Sequence, residues 1–162
     1  MRALSRSSQL LGLLGWLAIS YTAAAIGAIA SIHAADFYNA LTQPAWAPPA
    51  AAFGPVWMTL YGLMGIAAWR VWCEQHRLPA LTLFLVQLAL NALWSWLYFV
   101  WHLGAISLIA VAVLWALILA TLIAFWRQSR LAGTLLVPYL LWVSLATALT
   151  WATWQLNPQV LG

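Results

Sequence analysis

The sequence predicts an all-α integral membrane protein: a bundle of five transmembrane helices, with a structured loop rich in proline and tryptophan between the first and second. Three observations carry this. First, 66% of the 162 residues are hydrophobic and only 5% are charged, with a mean hydropathy of +0.93. A soluble domain has about a quarter of its residues charged, so this chain lacks the polar side chains to coat a water-facing globule. Second, apolar runs at about 9–32, 53–73, 79–101, 104–126 and 132–154 each approach the ~20 residues that an α-helix needs to cross a bilayer core. Third, Pro44, Pro48 and Pro49 interrupt the chain between the first two runs. Proline lacks an amide hydrogen and fixes its own backbone angle, so no continuous helix passes through them. With no internal repeat and no soluble segment of domain size, the chain reads as one domain, 1–162.

The first span follows Arg2 and Arg6. Thr22-Ala-Ala-Ala25 resembles the cleavage site of a secretory signal, but the apolar run continues through Ile32, longer than the core of such a signal. Gly12, Gly15, Ala23 and Gly27 are spaced for close helix packing, so this span is expected to stay as a transmembrane helix.

The stretch NALTQPAWAPPAAAFGPVWMTLY, from Asn39 to Tyr61, organises the rest. It is expected to be non-helical until Gly54-Pro55, where the second span starts. Irregular backbone beside a bilayer is tolerated only where protein or water covers it, so a rigid cap over the bundle, centred on Trp46, is expected. The later connections, at 74–78, 102–103 and 127–131, are short. Spans two and three, three and four, and four and five should therefore be antiparallel neighbours.

Charge sets the expected orientation. The six arginines, with no lysine, fall at Arg2, Arg6, Arg70, Arg77, Arg127 and Arg130, all on one side of a five-span arrangement. The other side carries His33, Asp36 and His102 and no Lys or Arg. The excess of basic residues marks the cytoplasmic side, which places the N-terminus in the cytoplasm and the C-terminus in the periplasm of a bacterial inner membrane. Scattered as they are, these arginines make a topology signal and not a nucleic-acid footprint.

Inside the spans, three faces stand out. Gln87, Asn91, Trp94 and Tyr98 on the third span recur at helical spacing, as do Trp57, Tyr61, Met64 and Gly65 on the second. On the fifth, Tyr139, Trp142, Ala146 and Leu149 or Thr150 do the same. Two amides in mid-bilayer need protein, ligand or water to face. Residue types alone leave two readings open: these stripes line a cavity for a large, planar, mostly apolar ligand beneath Trp46, or they only pack and bond helix to helix. Thirteen tryptophans exceed what interfacial anchoring requires, which bears on the same question.

Catalytic and metal signatures are thin. Asp36 and Glu74 are the two carboxylates, and the topology puts them on opposite sides, so they form no acid–base pair. His33 and His102 fall on the outer side and His76 on the inner, with no pair at ligand spacing on one helix. The single Cys73 excludes an internal disulfide and a thiolate metal cluster. The absence of mid-span charge argues against an ion or proton pump.

Four ordered blocks then carry a resemblance: FYNALTQPAWAPP, GPVWMTLYGLMGIAAWRVW, QLALNALWSWLYF and VPYLLWVSLATALTWATWQLN. Together they resemble the TspO/MBR family of tryptophan-rich sensory proteins and translocator proteins, over residues 10–157. The resemblance implies a five-helix, usually dimeric bundle with a pocket beneath the first loop that binds porphyrins or haem and, in some members, sterols or benzodiazepine-type ligands. Carried over position by position, the pocket residues are Trp46, Trp57, Tyr61, Asn91, Trp94, Trp142 and Ala146, with Trp57 and Trp142 as facing walls. A tetrapyrrole or other planar apolar small molecule, membrane lipid and a second copy of the chain are the expected partners, with no cofactor required for the fold. Small residues at Ala23 and Gly27 or at Ala89 and Ala92 are the expected dimer faces. The sequence departs from the family at Gln43, where Lys is common. At the end of the fifth span, Trp151 and Gln155 stand where a sterol-recognition pattern has Tyr and a basic residue. The implied function is a tetrapyrrole-binding sensor or transporter. Two alternatives stand beside it: light- or oxygen-dependent porphyrin degradation, with Trp side chains as electron donors, and a stress-related scaffold.

Overall fold

The computed structural model describes residues 5–74 and 77–162. Arg2 and His76, both used in the charge argument, lie outside the described residues. The elements are α1 Arg6–Ala30, α2 Ala34–Ala40, a 3-10 turn Ala50–Ala52, α3 Phe53–Trp72, α4 Leu78–Phe99, α5 Gly104–Gln128, α6 Arg130–Leu156 and α7 Pro158–Leu161. Five of them, α1, α3 with its 3-10 turn, α4, α5 and α6, are long and apolar enough to cross a membrane. Their ends lie within three residues of the expected ones. The starts follow local chemistry: Ser5 and Ser129 cap α1 and α6 with their side-chain oxygens, and proline occupies the first turn of α4 and of α7.

The loop is more helical than its prolines suggest. Asn39 and Ala40, expected to be irregular, belong to α2, and Ala50–Ala52 forms a 3-10 turn. A seven-residue helix with no side-chain cap leaves no periodic signal in sequence. Tertiary contacts hold it: Tyr38 is buried edge-on against Phe53 at 5.1 Å, and Phe37 stacks on His102 at 4.2 Å. His102 itself adopts a left-handed backbone (φ 52°) in the α4–α5 turn.

Around the bundle the spans follow the order α1, α3, α6, α5, α4 and back to α1. The fourth and fifth spans pack together as their short link predicts, as do the third and fourth. The second and third do not: α3 and α4 touch little, because α1 and α6 each take a flank of α3. The α1–α3 seam explains this. Small residues of one helix face large ones of the other from the arginine end up to Tyr21. Gly12 lies under the Trp72 ring, Leu17 over Gly65, and the Tyr21 hydroxyl over Gly62. The Trp69 indole N–H donates to the Gln9 carbonyl at 2.8 Å, and Tyr21 donates to the Met58 carbonyl at 3.0 Å. Gly15, expected in this packing, faces open space instead. Ala23, Gly27 and Ala92 point into the bundle, leaving Ala89 exposed on α4.

The two ends of the bundle differ. Arg6, Arg70, Arg77, Arg127 and Arg130 lie at one end, where α1, α4 and α6 start and α3 and α5 finish. That half is densely filled: Met64, Ala67, Ala68, Val71, Phe84, Ile118, Phe125 and Ala132 are completely buried there. The other half, beneath the loop, is hollow.

The seam gives a matched pair of variants. A Cβ on Gly65 would lie 3.1 Å from the Leu17 backbone, which has no room to yield, whereas Gly15 has nothing within 4 Å. Gly65→Leu should destabilise the detergent-solubilised protein by about 1–3 kcal/mol, measured by thermal unfolding, as overpacking does elsewhere. Gly15→Leu should leave the unfolding temperature unchanged.

Candidate ligand-binding site

A cavity of about 290 Å³ lies at the loop end, between α1, α3 and α4 and beneath α2. Two aromatic pairs form its main walls. Trp57 and Tyr61, one helical turn apart on α3, have ring centroids 5.6 Å apart and are tilted by 33°. On α4, Trp94 and Tyr98 stack at 5.7 Å and 19°. Three of these four rings, Trp57, Tyr61 and Trp94, contact the cavity directly, with Phe53 and Phe99 at its upper edge. On the α1 side the wall is made of small residues: Ala24, Gly27, Ala28 and Ser31. Gly27 marks a close approach: a Cβ there would sit 3.3 Å from the Ser95 hydroxyl, which would have to shift by a few tenths of an ångström, and 4.0 Å from that of Tyr61.

The polar floor is a chain of three side chains. The Asn91 amide donates to the Tyr139 hydroxyl at 2.7 Å, and that hydroxyl donates to the Gln87 carbonyl oxygen at 2.7 Å. All three residues are about 1% exposed. One hydroxyl proton directs the chain, which leaves the Asn91 carbonyl oxygen outside it and available to the cavity. The Trp94 indole N–H, the Gln87 NH₂ and the Trp142 indole N–H are buried without a hydrogen-bond partner. The site thus offers flat apolar area with the Asn91 amide at its floor, while the three unpaired N–H groups are buried in the wall and behind it. Such a surface suits a planar, largely apolar molecule with a polar edge.

The roof is bonded shut. The Tyr38 hydroxyl donates to the Pro48 carbonyl at 2.9 Å, and the Gln43 amide donates to the Tyr38 carbonyl at 2.5 Å. Burial pushes the Tyr38 phenol pKa up, so it remains a donor. Asn157, just past the end of α6, grips the backbone of Thr42 with both ends of its amide. The Thr42 N–H donates to its Oδ1 at 2.8 Å, and its Nδ2 donates to the Thr42 carbonyl at 2.9 Å. Asn157 is buried, so these bonds are shielded from water.

Four of the seven residues singled out in the sequence, Trp57, Tyr61, Asn91 and Trp94, come together on the cavity wall. Three do not. Trp46 lies in the loop with half its surface exposed and outside the lining. Trp142 stands one ring behind the wall, edge-on to Phe53 at 5.6 Å, and so does not face Trp57. Ala146 is buried in α6 away from the lining. The expected contribution of the fifth span is taken by the first, because Tyr139 fills the space between α6 and the cavity, edge-on to Trp57 at 6.2 Å. Of the α1 wall, sequence reasoning singled out only Gly27, and as a packing residue. Ala24, Ala28 and Ser31 share a face at helical spacing, but alanine gives no sign of whether it abuts protein or a hollow. Tyr38 and Phe53 were hidden by the irregular look of the loop.

The model of the TspO/MBR family matches residues 14–155. Protein CrtK of Rhodobacter capsulatus is 40% identical over 140 residues, covering 84% of this chain and 86% of that protein. The tryptophan-rich protein TspO of Chlorobaculum tepidum is 40% identical over 126 residues, 75% of this chain and 80% of its own. The human translocator protein is 35% identical over 126 residues, 75% of each. With its five membrane-length helices and a family match across nearly all of them, the chain belongs to the TspO/MBR family of integral membrane proteins.

Proposed function

We propose that the chain is a membrane-embedded binding protein for a tetrapyrrole, such as a porphyrin or haem, and that it senses or moves this ligand. The observation that carries this reading is the cavity itself: flat indole and phenol walls with an amide, Asn91, at the floor, under a hydrogen-bonded loop. Its volume, about 290 Å³, is at the lower edge of ligand pockets, which run to about 1,000 Å³. A tetrapyrrole macrocycle is larger, so it seats by one edge and leaves the rest at the open side. The arginines at the far end orient the loop toward the periplasm in a bacterial inner membrane, with the N-terminus cytoplasmic. A homodimer fits the exposed outer face of α4 around Ala89, since the other small residues are used inside the bundle.

Titration of the reconstituted protein with protoporphyrin IX, followed by tryptophan quenching, tests the reading. Trp57→Leu and Trp94→Leu should each weaken binding a few-fold to about tenfold, from the loss of about 0.5–1.5 kcal/mol of ring contact. Trp142→Leu acts only through Phe53 and should have a smaller effect. Trp16→Leu, in the filled half against Phe84, should have none. Equal affinity in the unaltered protein, Trp57→Leu and Trp94→Leu would place the ligand elsewhere. Illuminating the complex separates binding from degradation: a stable Soret band supports a sensor or carrier, and its loss with a new product supports the enzyme.

The floor can be tested separately. Tyr139→Phe leaves the Asn91 and Gln87 amides without their shared partner and should lower stability by about 1 kcal/mol, the scale of hydrogen bonds within membrane bundles. Asn91→Leu should reduce affinity more than Tyr139→Phe does, if the Asn91 oxygen meets the ligand; the reverse order would make the chain purely structural.

Orientation has its own measurement. A reporter active only in the periplasm should work when fused after Gly162 and fail when fused at residue 130; the opposite pattern overturns the arginine argument.

A further inference from the structure

We infer that the ligand reaches this cavity sideways, from the loop-side leaflet of the membrane, through a window between α1 and α3 gated by Met58, and not through the loop. The inference rests on the tetrapyrrole reading above and concerns how that site is filled.

The cavity walls are unequal. On the α4 side, Asn91, Trp94 and Ser95 are all buried, so that side is closed. On the other side Ala28 of α1, Ala35 of α2, and Gly54 and Met58 of α3 line the cavity and lie on the bundle surface at once. Three of these have nothing beyond a Cβ, which leaves a gap where longer side chains would meet. The fourth, Met58, is 58% exposed although it lines the cavity. An unbranched thioether with three rotatable bonds swings aside at little energetic cost. Below the gap, the Tyr21 hydroxyl donates to the Met58 carbonyl and ties α1 to α3, so the opening has a lower sill. Above it, Ala35 forms the rim.

The roof contrasts with this. The loop above the cavity is tied by the Asn157 grip on Thr42 and by the bonds from Tyr38 to Pro48 and from Gln43 to Tyr38, and Tyr38, which lines the cavity, is buried. Met58 lies five residues into α3, about 7.5 Å along its axis at 1.5 Å per residue, so the window opens on the flank of a helix long and apolar enough to cross the membrane and not at its tip.

The test compares rates in lipid nanodiscs, with protoporphyrin IX as probe and tryptophan quenching in a stopped-flow instrument as readout. Ala28→Leu and Met58→Trp narrow the window from opposite walls, and Asn157→Ala releases the roof. Each narrowing variant should slow association about tenfold, and should slow dissociation too, because the way out is the way in reversed. Asn157→Ala should leave the association rate within about twofold of the unaltered protein. Unchanged rates in both narrowed variants, or faster association in Asn157→Ala, would overturn the lateral route. Because Ala28 and Met58 also line the cavity, the sign of the dissociation change decides: slower dissociation supports the gate, and weaker binding carried by faster dissociation puts these residues in the binding contact and overturns it. The titration of the unaltered protein is read first: if it shows no saturable binding, the tetrapyrrole reading fails and this one falls with it, a result distinct from the others.

Discussion

A bilayer core holds no water to satisfy a polar group, and this constraint governs the structure. Backbone amides are satisfied within the helices, which is why five long helices and not sheets or loops cross the hydrocarbon. The hydroxyls of Thr121, Thr147, Thr150 and Thr153 bond back to carbonyls one turn earlier, and Trp115 finds the Ser144 hydroxyl on the next helix. Against that background the unpaired groups are informative. Ser20, Ser107 and Arg70 each have a buried atom without a partner, but Gln87, Trp94 and Trp142 cluster. Trp94 lines the cavity, Gln87 is bonded to the tyrosine beneath it, and Trp142 stands behind Phe53 on its rim. An unpaired donor in a hydrocarbon environment costs free energy, and three of them stand in or behind the walls of the hollow half.

The same constraint accounts for the unlike halves of the bundle. Where the arginines lie, fully buried apolar side chains fill the interior, and polar groups such as the Trp69 indole and the Thr121 hydroxyl bond to backbone carbonyls. Toward the loop, small residues on α1 face large rings on α3 and α4, and the mismatch in volume leaves a hollow. Gly27 makes this hollow by drawing α1 close to Ser95 at one level, while the neighbouring alanines stop short of the opposite wall. The cavity is thus a product of side-chain size along one helix face, and not of any break in a helix.

The loop completes the site by supplying what helices do not. Its two short helical pieces seat Tyr38 and Phe53 above the hollow, and the Asn157 amide treats the Thr42 backbone as a neighbouring strand would. That contact joins residues 115 positions apart in sequence, so the roof forms only when the end of α6 is in place.

Composition and periodicity alone settle a great deal here. A chain with 5% charge has no soluble fold open to it, five runs of bilayer length set five helices, and prolines at 44, 48 and 49 exclude a sixth through the first loop. Spacing along single helices brought Trp57 to Tyr61 and Asn91 to Trp94, because residues three and four apart share a face whatever the neighbours do. The order of helices around the bundle was not legible. Short links predict neighbours, yet α3 chose α1 over α4 because Gly62 and Gly65 accept Tyr21 and Leu17. Trp142 and Ala146 lie off the cavity lining for the same reason: a stripe has a direction only once its helix has a place in the ring, and Tyr139 stands between α6 and Trp57. α2 and the Asn157 latch were invisible because each rests on partners distant in sequence. What one helix dictates, the sequence alone determined; which helix faces which, and what is left hollow between them, depends on side-chain volumes meeting across a seam, and only the tertiary structure decided it.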